Sequence, residues 1–490
     1  MTSEPVDPRR PGGGVHRGVV VIGAGIAGLT AAYSLVRERP GIEVLVLESS
    51  LVVGGKLALD EVAGVSIDVG AEALLNRSPA AVRLAREVGL ADAVVHPTTT
   101  RAGIWTRGSV RPMPPTVMGI PADLDALAES GIVSLRGVLR ARIERDLAGR
   151  VPALATTDLH DGEDVSVGSF VRRRLGREVL DRLVEPLLGG VYAGHADELS
   201  LRAAAPQIQA LAGRGSSLVA EATAVRRAQS DTAPVFAGLV GGVGRLPQAL
   251  ARAAGLQVRT NATVRSLDRT SRGWRLVLGA TNAEETIDAE AVVLATPATP
   301  AARLLSEAVP DAARELRRID YASMAVVTLA FAAGRLREGW AGSGFLVPPV
   351  DGRTIKAATY SSSKWAWVAA AAGADTLLMR TSIGRHREEL VLQRSDVELV
   401  DAATSDLADA IGLRGPLIDA TVTRWGGALP QYAVGHRERV ARIRRAIATA
   451  PGLEVCGAAY DGIGIAACVV DAQEAVRRLL AEEEPDRPDR

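Results

Sequence analysis

Residues 19–49 read VVVIGAGIAGLTAAYSLVRERPGIEVLVLES. Residues 18–36 carry no charge, so length alone would admit a membrane span. The internal order argues otherwise. A short β-branched run at 19–22 has the character of a buried parallel strand. Gly23, Gly25 and Gly28 follow in the order G-x-G-x-x-G. An apolar helix is then expected over 26–38, a second strand over 43–47, and an acid, Glu48, closes the unit. Each part has a physical task. Gly23 permits the tight turn, Gly25 lets backbone approach a pyrophosphate, and Gly28 lets the helix lie close to the sheet. Ile26 and Ala27, in the first helical turn, offer free N–H groups at the positive end of the helix dipole. Glu48, twenty residues after Gly28, is placed to accept hydrogen bonds from a ribose. The whole unit reads as a dinucleotide site.

Gly54, Gly55 and Lys56 come six residues past the acid, followed by a strand near 65–70 and by Gly70, Ala71 and Glu72. A second glycine pair brings the chain near the cofactor again. That points to FAD in a two-dinucleotide-domain flavoprotein more than to NAD.

Composition narrows the remaining choices. The chain has 490 residues, enough for two or three domains. Lys+Arg and Asp+Glu balance at 57 each, so no global field holds nucleic acid or an anionic membrane. Cys456 and Cys468 form no CxxC, and the six histidines show no ligand spacing, so reduced thiols, no metal and a cytoplasmic location are expected. Residues 1–16 read as a loose tail rather than a signal peptide.

Further on, residues 123–227 are expected to be mostly helical. In SFVRRRLGREVLDRLVEPLLGGVY the apolar residues recur every three or four positions, with Pro186 and Gly189-Gly190 expected to end the helix. Arg136, Arg140, Arg142 and Arg172 to Arg174 make the region locally basic; a solvated face is the plain reading, and contact with a membrane surface or anionic partner the alternative. Residues 229–234 read as a linker. A Gly turn, helix and strand follow from 236, then a meander with a buried run at 291–295. Residues 302–413 alternate strands and helices without a nucleotide signature. The end returns to strand, Gly-rich turn and closing helix. Three separated glycine-bearing segments fit one nucleotide-binding domain with insertions.

Three stretches carry a resemblance over roughly residues 18–482: FVRRRLGREVLDRLVEPLLGGVYAGHADELSL, LPQYAVGHRERV and YDGIGIAACVV. They resemble the bacterial coproporphyrinogen III/protoporphyrinogen oxidases of haem biosynthesis, and TYSSSKWAW with TLLMRTSIGR is similar to that family's substrate-domain strands. The resemblance implies an α/β fold: a Rossmann-like FAD-binding domain of amine-oxidase/p-hydroxybenzoate hydroxylase type, a mixed α+β substrate domain and a helical insertion that in relatives often touches the membrane. The implied bounds are 17–95, 236–300 and 415–482 for the FAD domain, 120–230 for the helical domain, 96–119 and 301–414 for the substrate domain, and 1–16 and 483–490 for loose tails. The implied reaction is a six-electron oxidation of a porphyrinogen, a hydride passing to the flavin in each of three rounds and O2 reoxidising it to give hydrogen peroxide. Handover to a ferrochelatase is the implied partner step.

Residue by residue, the resemblance assigns Gly23, Gly25, Gly28 and Glu48 to the ADP grip, and Gly54, Gly55 and Lys56 to the neighbouring loop. It assigns the Val264 backbone to the adenine, and Gly457, Gly462, Gly464 and Ile465 to the closing turn. Trp425 and Tyr432 flank the flavin. Arg101 and Lys364 are the candidates for the substrate's propionates. No side chain is assigned as a base. Ala466-Ala467-Cys468 stands where the family pattern is Pro-Asp-Cys, Ala472 where many carry Gly, and Ala71-Glu72 where Pro-Asp or Pro-Asn is common. The loss of proline frees φ in the closing turn.

Coproporphyrinogen III, with four carboxylates, is the expected substrate, and protoporphyrinogen IX the alternative. An amine oxidase would need an aromatic cage, which four Phe and six Tyr furnish poorly. A carotenoid desaturase would not share EPLLGGVYAG. A non-catalytic FAD-binding partner is the reading from a different class, supported only by the altered closing turn.

Overall fold

The computed structural model describes residues 14–147, 163–214, 217–228, 234–280, 283–333 and 342–482. Residues 1–13 and 483–490 of the expected tails, and 229–233 of the expected linker, lie outside the described residues, whereas Gly14 to His16 of the expected N-terminal tail belong to the first strand. The chain divides into two compact units. One comprises Met1–Gly55, Leu246–Arg318 and Arg439–Arg490; the other comprises Lys56–Arg245 and Ile319–Glu438.

The first unit is built on a seven-stranded sheet. Strand Gly14–Ile22 lies between Glu43–Leu47 and Glu285–Leu294, parallel to both, and Gln257–Arg259 extends the parallel run beyond Glu43–Leu47. Val19, Val20, Val21 and Ile22 are buried, as a strand covered on both faces requires. Glu285–Leu294 is shared: its first half pairs antiparallel with Gly273–Leu278, and its second half pairs parallel with Leu453–Val455. Helix Ile26–Glu38 follows the first strand over the expected residues, and the closing helix Ile465–Glu482 packs against it.

The second unit holds another seven-stranded sheet, in the order Leu417–Pro430, Tyr321–Ala332, Thr376–Ile383, Ile355–Thr359, Gly344–Leu346, Ala102–Thr106, Ser109–Pro112. One face, with Ala325, Val327, Leu329, Met379 and Ile383, is sealed by helix Asp396–Ile411 through Leu399, Ala403 and Leu407. That helix starts in a Ser395/Glu398 capping box. The opposite face carries Ala330, Leu378 and Trp365.

This unit also contains the helical region, and here one expectation is corrected. The helix does not end at Pro186 or at Gly189-Gly190. Val167–Leu175 breaks at Gly176, whose φ is +85°; the chain then resumes through Arg177–Val179, a π-type turn at Leu180–Val184 and helix Glu185–Tyr192. Pro186 falls in the first turn of that last helix, directly after the π-type turn, and does not end it. The stop comes at Ala193, left-handed at φ 49°, whose N–H bonds Gly189 O at 3.1 Å.

Candidate functional site

The glycines of the first unit have distinct surroundings. Gly23 has φ +107°, and its N–H bonds Leu47 O at 2.8 Å, joining turn to second strand. A Cβ on Gly25 would meet nothing within 4 Å, so the space over the helix start is open. Gly25 caps helix Ile26–Glu38 without a side-chain bond, and the first turn, with Ile26 and Ala27 buried, carries no acid. Its N–H groups therefore keep their partial positive charge.

Glu48 is tied to this turn. One carboxylate oxygen accepts from Ala24 N at 2.7 Å, the other from Ser50 N and Ser50 Oγ, each at 2.8 Å. Gly54 N bonds Ala24 O at 2.8 Å, and Gly54 bridges Gly25, so the second glycine turn lies directly on the first. A Cβ on Gly55 would come 3.4 Å from Gly25 Cα. The chain leading to Val264 is fixed from the same acid: Ala262 N bonds Glu48 O, and Asn261 N bonds Ser50 O, both at 2.8 Å. Val264 itself is buried and paired with Leu278.

The closing turn comes to the same place. Gly457 has φ +125°, and a Cβ there would sit 3.7 Å from that of Ala27. Its N–H bonds the buried carboxylate of Asp471 at 2.7 Å, which also pairs with Arg444 at 2.6 Å. Burial raises the Asp471 pKa, opposed by the Arg444 charge and the Gly457 bond. Gly462 has φ +143°; Gly464, just before Ile465, has open space where a Cβ would point. The helix that begins at Ile465 has no acid in its first turn. Ala466 lies inside that turn and Ala472 is fully buried. Both helix starts are thus preceded by a glycine with open space, and the two helices pack against each other. Free N–H groups at two helix starts suit a pyrophosphate in sign.

The second unit brings together the other expected cofactor residues. Lys56 O accepts from Ala71 N at 3.0 Å, and a Cβ on Gly70 would lie 2.0 Å from that carbonyl. Trp425 Nε1 bonds Val69 O at 3.0 Å. Glu72 is largely buried, its side chain 12% exposed, and accepts from Trp365 Nε1 at 2.5 Å and from Arg380 at 2.9 Å. Burial alone would raise its pKa; the charges of Lys364 and Arg380 and the Trp365 bond hold it below the usual carboxylate range. Arg380 also donates to Gly70 O at 2.6 Å.

The two substrate candidates differ. The Lys364 ammonium lies 3.6 Å from Glu72 and over the Trp365 ring, so its charge is already met. Arg101 is exposed, and among the described residues its guanidinium has no ion-pair partner. Tyr432 stacks on His436 at 3.8 Å and lies 5.6 Å from Tyr192.

Arg380, Asp471, Lys356 and Arg385 escaped the sequence reading. Arg380 and Lys356 had a visible signal, a lone basic residue within the strands TLLMRTSI and IKAAT. Among the described residues no cluster of His, Cys, Asp or Glu could hold a metal ion, and Cys456 and Cys468 are buried free thiols.

Flavin containing amine oxidoreductases match residues 26–480, and the chain belongs to that family. Within this class several of its relatives are coproporphyrinogen III oxidases. The protein of that name from Mycobacterium leprae is 36% identical over 468 residues, 95% of this chain and 99% of the relative. The one from Bacillus subtilis is 32% identical over 475 residues, 94% and 97% of the two chains. A solved structure named "Putative protoporphyrinogen oxidase", from Exiguobacterium sp. 255-15, matches with a TM-score of 0.82 at 28% identity, over 95% of this chain and 99% of its own. The fold is of the amine-oxidase FAD-binding type, and FAD is the cofactor.

Proposed function

We propose that this protein oxidises coproporphyrinogen III to coproporphyrin III in haem biosynthesis. Three O2 are reduced to three H2O2 as the macrocycle loses six electrons and six protons. The observation that carries this reading is the 36% identity across 95% of the chain with a protein of that name. FAD, when bound, supplies the two-electron acceptor. This chain's residues hold and orient. Gly23, Gly25, Gly28, Gly457, Gly462, Gly464 and Ile465 bring two helix starts to the pyrophosphate, supported by their open approach and shared positive sign. Glu48 takes the ribose and the Val264 backbone the adenine. Gly54, Gly55, Lys56, Gly70, Ala71, Glu72 and Trp425 are our further cofactor assignments, and Arg101 our surface cation for a propionate. The FAD, substrate and helical domain bounds given above belong to the same proposal.

The test is direct. The purified protein should show flavin bands that bleach when coproporphyrinogen III is added under nitrogen. In air, coproporphyrin fluorescence and peroxide should grow together. A yellow protein that neither bleaches nor forms porphyrin would make it an FAD-binding partner instead. A rice chloroplast relative named protoporphyrinogen oxidase, 28% identical over 501 residues, favours protoporphyrinogen IX as the second reading. Side-by-side turnover decides between them, and faster kcat/KM on protoporphyrinogen reverses our choice.

Two further steps belong to the proposal. The free-base product is handed to a ferrochelatase, the reaction class that consumes it. The protein also rests peripherally on membranes: no helix of the described residues is long and apolar enough to cross one. However, Leu135, Leu139, Ile143 and Leu147 stand exposed at four-residue spacing on helix Leu135–Leu147, among Arg136, Arg140, Arg142 and Arg145.

A further inference from the structure

Strand Ile355–Thr359 of the second unit does not pair regularly. Ile355 is opposite Ile383 and Ala357 opposite Ser382, so Lys356 is the extra residue of a bulge. A bulge turns a side chain away from the alternation its neighbours follow. Ile355 packs into the core under helix Asp396–Ile411, while Lys356 reaches Met324, whose neighbour Ala325 belongs to that core. Met324 is paired across the sheet with Trp425.

Lys356 is 2% exposed. Its ammonium meets no oxygen among the described residues; its one polar contact is the Met324 thioether at 3.8 Å. A thioether is a weak acceptor and carries no charge. Burial lowers the Lys356 pKa to about 7, and the like charge of Arg385 adds to this. Val347 joins the Lys356 backbone to the Arg385 side chain. Val347 N donates to Lys356 O at 2.9 Å, and Arg385 donates to Val347 O at 3.1 Å. Arg385 is 6% exposed and its Nε has no partner. Its ion pair, Glu388, is 4.0 Å away, half exposed, and also lies 3.4 Å from His195. Glu185, which acts on Arg385 from the adjoining helix, is bonded to His195 at 3.1 Å and to Ala196 N at 2.8 Å. Asp406 accepts from Thr354 N and Ile355 N, and Arg380 is held by Glu72 and Gly70. None of these groups neutralises Lys356.

A buried lysine without an anion, near an arginine that keeps a free Nε and meets only a half-exposed Glu388 at 4.0 Å, is half of a salt bridge. We propose that Lys356 and Arg385 form a buried subsite for a carboxylate of the substrate, namely a propionate that coproporphyrinogen III carries where protoporphyrinogen IX has a vinyl group. This rests on the porphyrinogen reading above and deepens it: the pair would select for the four-carboxylate ring. A vinyl group there would leave the Lys356 charge unanswered, whereas a carboxylate answers it and can take the free Nε of Arg385.

The test uses the flavin-loaded full chain and two probes, coproporphyrin III and protoporphyrin IX, titrated by fluorescence, beside turnover of the two porphyrinogens. In Lys356→Met the ratio of the two dissociation constants should move at least tenfold against coproporphyrin III. The loss on coproporphyrinogen III should appear in KM rather than kcat. Arg385→Lys should keep more of the preference than Arg385→Met, with flavin content and circular dichroism reporting folding. An unmoved ratio overturns the subsite, as does a fall in kcat with unchanged KM, which would make Lys356 a proton acceptor. If the unmodified protein turns over and binds neither ring, the porphyrinogen reading itself fails and the subsite with it.

Discussion

The carbonyl oxygen of Gly23 lies 1.9 Å from where a Cβ of Gly28 would be, whereas Gly25, midway between them, faces open space. The first glycine turn therefore uses its residues for two separate purposes. Gly28 is required by the fold, because helix and turn touch there. Gly25 leaves room for something that is not protein.

Gly25→Ala and Gly28→Ala separate these purposes. Gly25→Ala should fold with an apoprotein Tm within about 2 °C of the parent, since its φ of −72° suits alanine, yet bind FAD at least tenfold more weakly. Gly28→Ala should lower both the Tm and the flavin content. Flavin absorbance after gel filtration, set beside thermal melts, checks both. Equal behaviour of the two variants would contradict the division.

Lys356→Met should stabilise the protein. The folded pKa of about 7 lies below that of a free lysine, so between pH 7 and about 10 the unfolded chain binds more protons and stability rises with pH. Below pH 7 the full cost of the buried charge is present. The methionine variant should be more stable by roughly 1–4 kcal/mol at pH 7, and this advantage should shrink toward pH 10. Urea melts at several pH values measure it.

Glu144 is buried and bonded to Arg174 at 2.6 Å, to Ser217 Oγ at 2.9 Å and to the N–H groups of Leu218 and Val219. It fastens three helical segments of the second unit at one carboxylate. Glu144→Ala should cost about 3–5 kcal/mol, because it removes the carboxylate paired with the buried Arg174 guanidinium and uncaps helix Leu218–Ala228. Glu144→Gln should cost less, since an amide still accepts. Denaturant midpoints rank the two.

Membrane contact is testable through the exposed stripe. The protein should co-sediment with vesicles rich in anionic lipid and less with neutral ones, and added salt should release it. Leu139→Glu should weaken binding several-fold without lowering the Tm, because Leu139 is 56% exposed. Binding that ignores both salt and this substitution would exclude the stripe.

Residues 19–48 were legible because local chemistry decides them. A β-branched run, three glycines at fixed offsets and an acid give one outcome whatever lies elsewhere, and helix Ile26–Glu38 falls where its periodicity puts it. The helical region was less legible. Pro186 looks like a terminator in isolation, but the chain passes through a π-type turn just ahead of it and stays helical to Tyr192. The Glu72–Arg380 pair was not legible at all: 308 residues separate partners that only the sheet brings together. Lys356 and Arg385 were hidden for a related reason. A lysine in an apolar strand reads as solvent-facing, and only the irregular pairing of Ile355 and Ala357 turns it inward.

The bulged lysine also bears on how this protein is to be handled in the laboratory. A screen that rewards survival on heating and ignores turnover should discard Lys356 early, since every apolar replacement there relieves a strain on the native state. Variants hardened in that way would melt later and choose their substrate less well, so any programme to toughen this enzyme should read out ring preference at each round.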